Sequence, residues 1–211
     1  ECSLILSRLT SLTDLSFLPV WNSTFAALLP RQLTSLSLVQ VDAGVCMSGA
    51  WPDLPPSLKM LSLMATEYGY VSKEFMASLP KSLEWLELFF FGEDRYHALS
   101  ALPPGLKTIV MPQLRVTTVE TFSSLLVPTV TSLAVGTLDS ALIAHIPTSM
   151  RHISFIFDRS SVGWRNLAKI DSPCLRAVGL LQKEDELPDT TKEKFYKEYL
   201  LEMIELKILK Q

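Results

Sequence analysis

Apolar residues recur in one cadence along most of the chain. Residues 79–88 read Leu-Pro-Lys-Ser-Leu-Glu-Trp-Leu-Glu-Leu, or L-P-x-x-L-x-x-L-x-L. Residues 29–38, 54–63 and 102–111 follow the same order closely. Weaker copies lie at 127–135, 146–155 and 173–180, and residues 12–17 give one that lacks the proline. In each copy the last two apolar positions are two residues apart, the spacing of a strand with one buried face. The first apolar residues of successive units are Leu12, Leu33, Leu58, Leu83, Leu106, Val130, Met150 and Leu175, separated by 20 to 25 residues. Such a period predicts stacked structural units, each contributing one short strand.

The second half of each unit has a different pattern. Segments 23–29, 72–79, 94–102, 118–126, 139–146 and 161–170 begin near Ser, Thr or Asp. Those side chains accept hydrogen bonds from the free N–H groups at a helix start. Apolar pairs four apart (Phe75 and Leu79, Phe122 and Leu126, Leu142 and Ile146) mark an inward helical face. A proline then commonly follows, and it pushes the preceding residue out of the helical region. Residues 41–54 depart from this, since Gly44, Gly49 and Pro52 predict an irregular crossing.

On these motifs the chain resembles the leucine-rich repeat superfamily, over roughly residues 12–181. The resemblance implies an α/β solenoid with a curved parallel sheet on its concave side and short helices on its convex side. Its period, about 23 residues on average, falls inside the ~20–29 of that family. Many members carry asparagine three residues beyond the last strand leucine. Here those positions hold Val41, Thr66, Phe91, Leu114 and Leu138, so this corner must satisfy its backbone groups in another way. The expected organisation is a solenoid of seven to eight units over 1–182, then a linker and capping helix over 183–211. Thr190-Thr191-Lys192-Glu193 reads as a capping box opening that helix.

If the strand leucines point inward, the alternate residues line the other face in columns. The first column is Asp14, Ser35, Met60, Trp85, Thr108, Ser132, His152 and Ala177. The second is Ser16, Ser37, Ser62, Glu87, Val110, Ala134, Ser154 and Gly179. The third is Leu18, Val39, Met64, Phe89, Pro112, Gly136, Ile156 and Leu181. Only Asp14 and Glu87 carry charge, which leaves a broad face of small and apolar residues. A patch of that kind in contact with water usually marks an interaction site. Within it Met60, Met64, Trp85 and Phe89 should be neighbours, combining aromatic anchors with adaptable thioethers.

Composition narrows the classes. Hydrophobic residues make up 48% and charged residues 19%, which excludes a disordered chain. A net charge of −3 argues against a general grip on nucleic acid. No apolar run reaches the ~18 residues that span a bilayer, and the opening Glu1-Cys2-Ser3-Leu4-Ile5-Leu6 lacks a basic signal-peptide region. Cys2, Cys46 and Cys174 are an odd number at unrelated spacings, as expected of reduced thiols in an intracellular, cytoplasmic protein. Asn22-Ser23-Thr24 matches a glycosylation acceptor, a triplet that arises often by chance.

Catalytic signatures are missing. His97, His145 and His152 fall in different units without metal-ligand spacing, and no P-loop, H-E-x-x-H or G-x-S-x-G pattern occurs. The expectation is therefore a non-enzymatic module without cofactor or metal, binding a protein partner on its concave face. Its site would comprise Met60, Met64, Trp85 and Phe89 as anchors, with Glu87 and His152 adding polar discrimination. The alternative is a structural subunit of a large assembly. A substrate receptor of a ubiquitin ligase ranks below both, because no adaptor-binding box is visible.

Overall fold

The computed structural model describes residues 11–17, 28–41, 54–65, 71–89, 96–156 and 177–181. The expectations for the three cysteines, Asn22, the irregular crossing, segment 161–170 and the capping helix lie outside the described residues.

The fold is α/β. Among the described residues, strands β1 (Asp14–Phe17), β2 (Ser35–Val41), β3 (Met60–Ala65), β4 (Trp85–Leu88), β5 (Thr108–Val116), β6 (Ser132–Leu138), β7 (His152–Ile156) and β8 (Ala177–Leu181) form one sheet. They lie side by side in chain order, and every neighbouring pair is parallel. Leu36, Leu61, Leu86 and Ile109 align on consecutive strands, as the period requires.

Parallel neighbours need a crossover over one sheet face, and short helical segments supply it between β3 and β7. Helices α1 (Lys73–Ser78) and α2 (Val119–Leu125) are α-helical, whereas Tyr96–Ala101 and Ser140–His145 wind as 3-10 turns. The starts follow the side chains that the sequence offers. Ser72 accepts from the Phe75 N–H at 3.0 Å, Thr118 from the Thr121 N–H at 3.2 Å, and Asp139 from the Ala141 N–H at 2.8 Å. Proline shapes the ends. Leu79 and Ile146, each followed by proline, are extended with ψ of 140° and 122°. Leu126 is followed by Val127 instead, and its ψ is 56°.

The core lies between the sheet and these helical segments. Leu33, Leu58, Leu83, Leu106, Val130 and Met150 are buried, and so are both inward residues of β2 to β7 from Leu36 and Leu38 to Ile153 and Phe155. Phe75, Met76, Leu99, Phe122, Leu142 and Ile143 meet them from the helical side. Each buried leucine contributes about 1.5–3 kcal/mol before entropy is counted. Leu114 and Leu138, at two of the corners where asparagine could have stood, are buried in the same core. That corner is closed by apolar packing.

Two hydrogen-bond ladders hold the strand entrances in register. In the first, one carbonyl takes two N–H groups from the next unit. Lys59 and Met60 donate to Thr34 O at 2.8 and 2.9 Å, Glu84 and Trp85 to Lys59 O at 2.8 and 2.9 Å, and Lys107 and Thr108 to Glu84 O at 2.8 and 3.0 Å. The same pairing joins Thr131 and Ser132 to Lys107 O, and Arg151 and His152 to Thr131 O. In the second, a hydroxyl of the L-P-x-[S/T]-L turn is shared between two carbonyls of the preceding unit. Ser57 reaches Arg31 O and Leu33 O at 2.6 and 2.9 Å, Ser82 reaches Pro56 O and Leu58 O at 2.7 and 2.8 Å, and Thr129 reaches Pro104 O and Leu106 O at 2.8 and 2.6 Å. The turn itself closes when the N–H of Leu33, Leu58, Leu83 or Met150 donates to the carbonyl of Pro30, Pro55, Pro80 or Pro147 three residues before it.

The exit ends are less regular. Register shifts fall between Val39 and Val41 on β2, between Met111 and Arg115 on β5, and between Ala134 and Thr137 on β6. At the β5 shift the Pro112 carbonyl comes so near Gly136 that a Cβ there would sit 2.2 Å from its oxygen. Only glycine fits beneath it.

Two outcomes follow from this packing. Leu86→Ala should lower stability by about 2–5 kcal/mol, measured by urea unfolding, because the cavity opens between neighbouring strands. Ser82→Ala should cost about 1 kcal/mol in the same assay, since two carbonyls lose a shared donor.

Candidate functional site

Strand alternation sends one set of side chains into the core and the other set to the opposite sheet face. The register aligns that outward set in two unbroken columns. Asp14, Ser35, Met60, Trp85, Thr108, Ser132, His152 and Ala177 pair in sequence across all eight strands, as do Ser16, Ser37, Ser62, Glu87, Val110, Ala134, Ser154 and Gly179. The third column is broken. Val39 pairs with Met64, but Ile156 pairs with Thr137 instead of Gly136 because of the shift on β6.

Met60, Met64 and Trp85 stand half-buried on adjoining strands, with Met60 directly opposite Trp85. The Ser35 hydroxyl lies 3.5 Å from the Met60 sulfur. Trp85 packs against a small cluster of Val110 and Ala134, which are 1% and 0% exposed although they stand apart from the main core. A large indole beside two small side chains gives the face a local hydrophobic centre of its own. His152 is half-buried three strands away, at the far side of that centre.

Two of the expected contact residues sit deeper than alternation suggests. Glu87 is 8% exposed, between Ser62 and Val110 in the second column. Phe89 is 7% exposed and lies just past the end of β4, where its N–H donates to Leu63 O at 2.9 Å. Both are therefore less accessible than the others, and the more open side chains of the set are Met60, Met64, Trp85 and His152.

One row next to the first column went unnoticed in the residue pattern. Its members are Thr34, Lys59, Glu84, Lys107, Thr131 and Arg151, the residues whose carbonyls and N–H groups build the entrance ladder. Lys107 Nζ lies 2.6 Å from Glu84 Oε2 and Lys59 Nζ 3.8 Å from Glu84 Oε1. The Lys107 hydrogen bond, with the positive charges of Lys107 and Lys59, holds the Glu84 carboxyl below its ordinary range despite some desolvation. Aligning the units one residue before the first column would have shown the row.

Among the described residues, no three His, Cys, Asp or Glu side chains gather in a way that could hold a metal ion. His145 is exposed at the end of its 3-10 turn. No described helix is long and apolar enough to cross a membrane. No family model matches the chain, and no curated protein matches it.

The Glu84 geometry has a consequence for pH. Its carboxylate is favoured in the folded state, so the contribution is present above the ordinary glutamate range and is lost as pH falls through the lowered value. Both lysines and the glutamate are well solvated, which keeps the effect below about 1 kcal/mol. Glu84→Gln should therefore remove a small, salt-sensitive part of the acid dependence of unfolding, read from urea midpoints between neutral and acid pH.

Proposed function

We propose that the chain is a leucine-rich-repeat solenoid that binds another protein through the outward face of its sheet, without catalysis or cofactor. The observation that carries this reading is the half-buried group Met60, Met64 and Trp85, side by side on β3 and β4. Around it the two aligned columns hold only Asp14 and Glu87 as charged residues, and Glu87 is buried. Long rows of serine, threonine and small apolar side chains then offer an extended surface with little desolvation penalty. Trp85 supplies the rigid anchor and the two methionines adapt to the partner's shape.

The repeat cadence, the chain-order parallel sheet and the helical crossovers on the other face support the solenoid assignment, with the outward face as its concave side. A partner laid there meets many strands at once. Glu87 and Phe89 support the contact from below, and His152 adds a polar group at its edge.

The test compares wild type with the double variant Met60→Ala plus Trp85→Ala, after circular dichroism and unfolding show that both are folded. Each is used as bait and the captured proteins are quantified by mass spectrometry. Proteins retained by wild type should fall at least tenfold on the variant, since anchors of this kind are worth about 2 kcal/mol or more. Retention unchanged would move the binding surface elsewhere.

A further inference from the structure

The strand-entry edge carries an electrostatic asymmetry that the sheet face does not. Arg31 and Lys81 are exposed in the turns that precede β2 and β4, and Lys59, Lys107 and Arg151 are exposed in the row that opens β3, β5 and β7. Against these five cations stands Glu84, and one carboxylate cannot neutralise even the two ammonium groups that meet it. Asp14 lies at the β1 end of the first column, hydrogen-bonded from Thr13 at 2.8 Å. Glu87 is buried in the second column of the adjoining face, and the other described acids lie away from this edge. Glu74 and Glu120 occupy the first turns of α1 and α2, and Asp139 caps a 3-10 turn. Among the described residues, positive charge is thus concentrated along one edge.

That edge borders the proposed docking face directly. Lys59 precedes Met60, Lys107 precedes Thr108 and Arg151 precedes His152, so each cation stands one residue from the first outward column. Strand spacing places the ends of this row, on β3 and β7, roughly 19 Å apart, the reach of about six extended residues. An extended chain crossing the strands presents alternate side chains to opposite sides. One side can then meet the cations while the other reaches Met60 and Trp85.

We propose that the partner docks with an acidic segment in which carboxylates alternate with apolar side chains, the carboxylates lying along Lys59, Lys107 and Arg151. This rests on the docking face described above and assigns its partner's chemistry. Nucleic acid is the competing anion, but the apolar group Met60 and Trp85 beside the cations favours a peptide that carries apolar side chains.

The test uses three fluorescein-labelled probes: a peptide alternating glutamate with leucine, its counterpart with lysine replacing glutamate, and a short oligouridylate. Binding to the full chain is followed by anisotropy at low and physiological salt. The glutamate peptide should bind at least about tenfold more tightly than the lysine peptide, with the preference shrinking as salt rises. The triple variant Lys59→Glu, Lys107→Glu, Arg151→Glu, altered only at exposed positions and checked for folding, should abolish or reverse that preference. Met60→Ala plus Trp85→Ala should weaken both peptides while leaving the preference intact. Equal binding of the two peptides, or a preference that survives in the triple variant, overturns the acidic partner and leaves the docking face standing. Binding that ignores Met60 and Trp85 overturns the docking face itself. Tighter binding of the oligouridylate, lost in the triple variant, assigns the edge to nucleic acid, and failure of all three probes to bind also overturns the proposal.

Discussion

Each unit from β3 to β6 has one strand and a few helical residues, too little to hide its own leucines from water. Burial between neighbours is therefore the constraint on which the rest of this structure depends. Leu61 is fully buried because Leu36 and Leu86 flank it in register, and the same holds along the row through Ile109 and Leu133. A one-residue slip would send every inward side chain to the opposite face. The entrance ladders oppose such a slip with directional bonds, while burial supplies most of the free energy. This division explains how a chain with no asparagine ladder keeps its register. Shared serine and threonine hydroxyls tie adjacent turns together at the strand entrances, and leucine fills two of the exit corners.

Gly105 shows how local this arrangement is. It occupies the turn position held by Ser57, Ser82 and Thr129 in other units, so it has no hydroxyl to share. A Cβ placed on it would stand 3.1 Å from Lys81 O and 3.5 Å from Leu83 O, the same pair of carbonyls that the others bridge. The sheet continues past this rung, because the backbone pairing of Lys107 and Thr108 with Glu84 O persists. Hydroxyl sharing is thus an addition to the ladder and not its foundation.

Much of the fold was legible in the residues because burial imposes a period of two on strands and capping chemistry marks helix starts. Those signals located β1 to β8 and the caps at Ser72, Thr118 and Asp139. The distinction between α-helix and 3-10 turn was not legible at Tyr96–Ala101 or Ser140–His145, where six residues hold too few hydrogen bonds for propensity to decide. The candidate site was half legible. Alternation correctly sends Glu87 and Val110 to the outward face, but it says nothing of what lies over them. Burial at that face depends on neighbours such as Trp85, which packs against the cluster formed by Val110 and Ala134.

The two ends of the strands therefore carry different kinds of information. At the entrance, doubled backbone bonds give the first column and the charged row before it a regular spacing. At the exit, extra residues on β2, β5 and β6 shift the pairing, and the third column breaks up. Phe89, assigned by counting along that column, lies buried just past β4, whereas Met64 of the same column is half-buried, as are Met60 and Trp85, which stand opposite one another. The entrance, where the register is held most regularly, is thus also where the apolar centre of Met60 and Trp85 adjoins the cationic row.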